Sequence, residues 1–397
     1  MLIAIIMLAS FVVQLTIFLL LDLTETLGAP SSARIIVYVT ALFGLIYQAL
    51  TNKKNWQHKR DEIIRKNVRA KYFGLASLLT LMLLYSTFIS QLSTALYADF
   101  SVDFYLAFPF IIFFLPFYLK WAEHRLLRTE DGLLLFGQAL TRQRRWIFKE
   151  QKIFLLSWAV KIIFIPAMYG SLIVVISDFL EFKFVTTQPI VLISWVFMFG
   201  LSFDLLIASF GYIFSSQLIG TEVLSTDQTW LGWLVCVICY PPLMSIFRII
   251  REQTDNVLCH HWLEPTQPLY WIWAILISLS WIIYWLSTAS FGLRFSNLSW
   301  RGLISHGPYR YSKHPSYIAK NIYWWLYTVP FIGVDNNIDL IRNLLALSFV
   351  SLVYYLRAKT EERHLMHFPE YVAYSEWIAQ HGLIAQLSKT WHRKRIY

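Results

Sequence analysis

The chain begins with a long apolar run. Residues 2–21 read LIAIIMLASFVVQLTIFLLL and include no charged side chain. A transmembrane helix needs about 20 consecutive, mostly apolar residues, so this run predicts a membrane-spanning helix. Comparable runs follow along the chain at 72–98, 189–203 (continuing past Asp204), 229–247 and 267–293.

The overall composition also indicates a membrane protein. Of the 397 residues, 57% are hydrophobic and only 15% are charged, with a mean hydropathy of +0.51. A soluble protein carries roughly 25% charged residues. Counting the apolar runs predicts about ten helices, among them 189–219, 229–247 and 316–334. The expected fold is therefore an all-α, multi-pass transmembrane helical bundle.

The net charge of +10 is concentrated in two connecting segments. Eight Lys or Arg residues lie in 53–71 and eight more in 120–152, whereas the connections between them hold mainly acids. This alternation places the basic loops in the cytoplasm, where they face anionic lipid headgroups. Nucleic acid is not an expected partner, because its recognition needs the basic residues on one folded surface. The absence of recognisable eukaryotic sorting signals favours a bacterial inner membrane.

Polar and turn-forming residues are concentrated in 307–317, which read GPYRYSKHPSY. Gly307-Pro308 is typical of a turn. Pro315 disfavours the α conformation for His314 and suits the first position of a helix, so His314 is expected at a helix N-terminus, where carboxylates and phosphates bind well. Aromatic faces, which attract cations, come from Tyr309, Tyr311 and Tyr317. The segment is thus suited to a ligand with a carboxylate, a flat base and a positive centre.

A second polar segment, 357–362, reads RAKTEE and follows an apolar run. Arg357 and Glu361 are four residues apart, so they share one face of a helix. Arg357 is suited to bidentate binding of a carboxylate, and Glu361 and Glu362 to accepting hydrogen bonds from hydroxyl or ammonium groups. Arg294, just beyond another apolar run, is a candidate for a second cation.

Together the two segments resemble the signature blocks of the isoprenylcysteine carboxyl methyltransferase and phospholipid methyltransferase superfamily. The resemblance spans about 292–376 and implies an integral membrane enzyme that uses S-adenosylmethionine. It implies that the cofactor is bound by Gly307, Pro308, Tyr309, Tyr311, His314, Pro315, Tyr317, Glu361 and Glu362. It also implies that Arg294 and Arg357 orient the acceptor, and Glu362 is a further catalytic candidate.

These features predict two blocks and one activity. Residues 1–228 form an N-terminal transmembrane block with cytoplasmic basic loops, and 229–397 form the methyltransferase-like core with a cytoplasmic tail. The expected reaction is carboxyl O-methylation of an isoprenylcysteine-like or other lipidic acceptor at the cytoplasmic face. N-methylation of a lipid amine is one alternative, and it would need His314, Glu361 or Glu362 as a general base. A non-catalytic lipid-binding protein or transporter is another.

Two ionisable residues interrupt the apolar runs. Lys161 and Asp204 predict a buried ion pair, and a polar cavity for the head of the substrate is the alternative. The segment 259–261, Cys-His-His, does not predict a metal site, because a closed site needs four ligands. Cys236 and Cys239, the other thiols, lie within an apolar run.

Overall fold

The computed structural model shows a bundle of α-helices and describes residues 1–53, 56, 64–92, 94–126, 128, 130–182, 189–254 and 258–387. Within these residues the α-helices are α1 Leu2–Leu20, α2 Leu23–Leu27, α3 Ala29–Asn52, α4 Ile64–Leu92, α5 Thr94–Glu123, α6 Gly132–Leu140, α7 Phe148–Glu181, α8 Pro189–Ile213, α9 Trp230–Val237, α10 Met244–Arg251, α11 Cys259–Trp262, α12 Pro268–Phe291, α13 Pro315–Thr328, α14 Asn337–Leu365 and α15 Pro369–His381. Short 3-10 turns occupy Gln217–Ile219, Gly292–Arg294 and Gly307–Arg310, and two short strands, β1 Ser225–Thr226 and β2 Ser299–Trp300, pair antiparallel.

Eight helices in the described part of the chain are long and apolar enough to cross a membrane: α1, α3, α4, α5, α7, α8, α12 and α14. Large apolar side chains cover the outside of several of them; Phe110, Phe113 and Phe117 of α5 are each about two-thirds exposed. Such surfaces suit lipid rather than water. The expected all-α, multi-pass fold is confirmed, and the chain is an integral membrane protein.

Two of the ten predicted helices are not single membrane-length helices. The run 229–247 is divided into α9 and α10 near Pro241-Pro242, because proline lacks the backbone N–H and clashes with the preceding helical turn. The run 316–334 forms only α13, which ends at Thr328, two residues before Pro330. Proline disfavours the helical conformation of the residue before it. The prolines in the sequence thus account for the break between α9 and α10 and for the end of α13.

The main core lies between α1, α3, α7 and α8. Its fully buried side chains include Phe11, Ile36, Phe164, Leu172 and Leu206. Inside a bilayer, lipid tails are as apolar as these side chains, so close packing holds the helices together rather than the transfer of apolar surface out of water. The helices α7 and α8 pack closely together, and α12 of the C-terminal half packs against α8.

The connection near the predicted block boundary at residue 228 is tied to the C-terminal half. Ser225 of β1 pairs with Trp300 of β2. Arg301 is 5% exposed and donates hydrogen bonds to the carbonyl of Thr221 and, at 2.6 Å, to that of Gly211. Burial lowers the pKa of Arg301 to about 10. These bonds connect the loop after α12 to the end of α8. The division of the chain into blocks 1–228 and 229–397 stays a prediction.

A buried ion pair joins α4 to the end of α5 and to the residue before α6. Lys71 of α4 is 1% exposed, and its Nζ lies 2.5 Å from Glu123 Oε1 and 2.6 Å from Asp131 Oδ2. Replacing Lys71 with methionine is expected to lower the free energy of unfolding by about 3–5 kcal/mol, because it leaves the buried Glu123 carboxylate unpaired. Reversible unfolding in detergent, followed by circular dichroism, measures this change.

The exposed pair Arg144–Glu150, with N and O atoms 2.7 Å apart, is the matched control. Its side chains are 42% and 41% exposed, and Arg144→Ala should cost less than about 1 kcal/mol, since water screens the charges. Equal losses of stability in the two variants would contradict the structural role of Lys71.

Candidate functional site

A central cavity opens between α8, α9, α12, α13 and α14. It encloses about 1180 Å³ of space free of protein atoms, counting its open mouth. Its polar lining residues include Asp204, Tyr240, Tyr284, Asn297, Tyr309, His314, Tyr317, Lys320, Arg357 and Glu361. The two polar segments of the sequence, which are about forty residues apart, therefore meet at one cavity.

His314 lies at the entrance to α13, which begins at Pro315 as the sequence predicts. Its ring stacks on that of Tyr317, with centroids 5.7 Å apart and planes at 14°. Its Nε2 atom lies 3.1 Å from Glu362 Oε1. The histidine is therefore fixed by an aromatic face on one side and a carboxylate on the other.

The two adjacent glutamates have different surroundings. Glu361 lines the cavity, and its Oε2 accepts a 3.0 Å hydrogen bond from the hydroxyl of Tyr317. Glu362 is not among the lining residues; its carboxylate instead contacts Lys313, at 2.8 Å, and also Lys359 and His314. Glu361 is thus the carboxylate available to a ligand, and Glu362 positions His314.

Arg357 is a buried cation in the wall of the cavity. It is 5% exposed, donates a 3.1 Å hydrogen bond to Asn297 Oδ1, and lies over the ring of Tyr317 with its guanidinium carbon 5.0 Å from the centroid. Among the described residues it makes no ion pair with a carboxylate. A buried charge without a counter-charge is costly. The site is therefore prepared for an anionic group brought by a ligand.

The turn that contains Gly307 supports the site, and only part of it reaches the cavity. Tyr309 is buried in the lining, and its carbonyl accepts a 2.6 Å hydrogen bond from the hydroxyl of Tyr374. Burial raises the pKa of both tyrosines, so they remain neutral. Gly307 has a φ of +62°, which favours glycine. Tyr311 is exposed; like Gly307 and Pro308, it lies outside the lining.

The structure does not bring Arg294 to the cavity, contrary to the expectation of a second cation there. The 3-10 turn Gly292–Arg294 directs the chain away after α12, and the exposed guanidinium lies next to Gly302. Besides Arg357, the lining includes Lys313, which pairs with Glu362, and Lys320, whose Nζ lies 4.1 Å from the ring centroid of Tyr284. Lys320 follows Tyr317 by one helical turn, a spacing that would have indicated it.

The predicted ion pair between Lys161 and Asp204 was wrong. Lys161 Nζ lies 4.7 Å from the ring centroid of Trp158, whereas Asp204 accepts a hydrogen bond from Tyr284 and lines the cavity. The two residues are on adjacent helices but face different neighbours. Hydropathy alone does not indicate which face of a buried helix a charged residue occupies.

The sequence of residues 271–367 matches the model of the isoprenylcysteine carboxyl methyltransferase family. The match covers about a quarter of the chain and comprises most of α12 and all of α13 and α14. It includes both polar segments, so the resemblance inferred from the sequence is confirmed. No curated protein and no solved structure matches the chain. Fold and family match together support a membrane protein of the methyltransferase class.

Proposed function

We propose that this protein transfers a methyl group from S-adenosylmethionine to a carboxylate of a lipidic acceptor. The observation that carries the proposal is the meeting of Arg357, a buried cation without a carboxylate partner among the described residues, with Tyr317 and Glu361 in one cavity. This arrangement offers a site for an anion next to aromatic faces and an acidic group suited to a cation.

The residues present fit S-adenosylmethionine. The stacked rings of His314 and Tyr317 offer a face for a flat base or a positive centre. Ser296 and Ser299 are among the lining residues, and their buried Oγ atoms have no hydrogen-bond partner in the described part of the protein. Buried polar atoms nearly always have a partner, so these two are expected to bond to a ligand or to water.

When bound, the cofactor supplies an activated methyl group. The chain's own task is to position the acceptor and exclude water. Arg357 would hold the carboxylate, its planar fork fixed by Asn297 and by packing over Tyr317. A carboxylate is ionised at neutral pH and needs no general base. Glu362, which contacts His314 and not the cavity, acts in this proposal through the histidine.

The lining also favours a carboxylate over an amine. Lys313, Lys320 and Arg357 line the cavity together with Asp204, Asp227 and Glu361. Arg357 makes no ion pair with a carboxylate among the described residues, so an acceptor that brings a carboxylate to it is favoured over one that brings a protonated amine. The apolar part of the lining, which includes Met168, Leu201 and Leu205, suits the tail of a lipid entering between helices. Following the positive-inside rule, we place the active site at the cytoplasmic face of the membrane.

The experiment is methylation of a lipid extract by the purified protein with S-adenosylmethionine labelled in its methyl group. The label is expected in a lipid product and should be released by mild alkali, because a methyl ester is base-labile. A label that resists alkali would indicate an N-methyl amine and contradict carboxyl methylation. Folded protein that neither binds the cofactor nor labels any lipid would favour the non-catalytic alternative.

A further inference from the structure

A buried carboxylate in the central cavity is not used by the proposed reaction. Asp204 of α8 is 5% exposed, and its Oδ2 accepts a hydrogen bond from the hydroxyl of Tyr284. Its Oδ1 has no hydrogen-bond partner among the described residues; Thr288 lies near this carboxylate, but no hydrogen bond of normal geometry joins the two. An unsatisfied carboxylate oxygen in a buried site is costly, so a ligand group is expected there.

The carboxylate comes from outside the family-like segment. Asp204 is in α8, whereas the family match covers 271–367. The match does supply its two neighbours in the cavity, Tyr284 of α12 and Lys320 of α13. The N-terminal block therefore adds a polar group to a cavity whose cofactor-binding candidates all lie in the C-terminal half.

The charges around Asp204 limit what its free oxygen would bind. Lys320 interacts electrostatically with the Asp204 carboxylate and lies over the ring of Tyr284. The cations Lys313 and Arg357 and the carboxylates Asp227 and Glu361 also line this cavity. Because Lys320 already supplies a positive charge to the Asp204 carboxylate, a neutral hydroxyl can donate to Oδ1 without bringing a second ammonium group next to that lysine.

We propose that Asp204, held by Tyr284, determines acceptor specificity by accepting a hydrogen bond from a hydroxyl group of the acceptor. This inference rests on the proposed function, in which Arg357 binds the carboxylate of the same molecule. The acceptor is then a hydroxylated lipidic acid, with its tail along the apolar lining of α8, including Leu201 and Leu205. A purely apolar chain next to the carboxylate would leave Oδ1 unsatisfied.

The test compares the binding of hexadecanoic acid with that of its derivatives carrying one hydroxyl at different positions along the chain. Dissociation constants are measured by calorimetry on the purified full-length protein in detergent. For at least one derivative, the wild type is expected to bind about 10-fold to 100-fold more tightly than to the parent acid, the gain typical of a hydrogen bond to a charged group. Asp204→Leu should remove this preference.

Two further variants make the comparison sharp. Ser209→Ala is the matched control: Ser209 is also buried in α8 with an unpartnered hydroxyl, but it is not among the lining residues, so the preference should remain. Asp204→Asn keeps an accepting oxygen in nearly the same volume and should retain a reduced preference. It provides the decisive measurement if Asp204→Leu does not fold.

Three results would overturn the inference: no hydroxylated acid preferred by the wild type, an unchanged preference in Asp204→Leu or in Asp204→Asn, or tighter binding of the matching amino derivative. These binding ratios do not depend on catalysis. A failure of the proposed function would instead appear as absent cofactor binding or absent ester formation, and it would leave the ratios measurable.

Discussion

Replacing Arg357 with lysine is expected to lower kcat/KM for methyl transfer by about 100-fold to 1000-fold, because lysine cannot make the bidentate contact of a buried guanidinium with a carboxylate. Lysine retains the charge but not the planar fork, which in the native protein is set by Asn297 and Tyr317. Initial rates over a range of acceptor concentrations measure the effect. Affinity for S-adenosylmethionine should stay nearly unchanged, because Arg357 is assigned to the acceptor.

Arg363→Lys is the matched control on the same helix. Arg363 is exposed, donates a 2.5 Å hydrogen bond to Thr229 Oγ1, and is not among the lining residues. Its replacement should leave kcat/KM close to the wild-type value. If Arg357→Lys retained full activity, or lost cofactor affinity instead of acceptor turnover, the assignment of Arg357 to the acceptor carboxylate would be wrong.

Replacing Glu361 with glutamine is expected to weaken the binding of S-adenosylmethionine by about 10-fold to 100-fold, the value of one charge-assisted hydrogen bond in a buried site. Glu361 is the glutamate that lines the cavity, and it also fixes Tyr317 through a 3.0 Å hydrogen bond. Glutamine keeps the shape and the accepting oxygen but removes the negative charge. Equilibrium dialysis with labelled cofactor measures the change.

Glu370→Gln is the control for this substitution, because Glu370 is an exposed residue of α15 outside the cavity lining. It should leave the dissociation constant unchanged. Equal affinity of the Glu361→Gln variant and the wild type would show that the carboxylate does not face the cofactor, and it would remove Glu361 from the site.

Much of this site was predictable because its signals are local. The His314-Pro315 pair fixes the beginning of a helix, and Arg357 and Glu361 share a helical face because they are four residues apart. Their meeting required one further inference, the resemblance of both segments to a single superfamily. Apolar runs likewise indicated the membrane-spanning helices, because length and hydropathy are properties of each segment alone.

The remainder depends on which side of each helix faces the bundle. Asp204 was recognised as unusual, but its contact with Tyr284, eighty residues away, follows from the packing of α8 on α12. Arg294 lies outside the cavity lining because it ends the three-residue turn that directs the chain away after α12. Lys71, expected in a basic loop, is buried against Glu123. The hydrophobic periodicity of a single segment does not indicate which residues of other helices its side chains contact.

The most direct test of the central claim is the binding of labelled S-adenosylmethionine to the purified, folded protein, with and without the substitution His314→Ala. We expect saturable binding of one molecule per chain, lost or strongly weakened when the histidine that stacks on Tyr317 and contacts Glu362 is removed. Absence of saturable binding to folded wild-type protein, or equal binding by the variant, would contradict the proposal that these residues form a cofactor site.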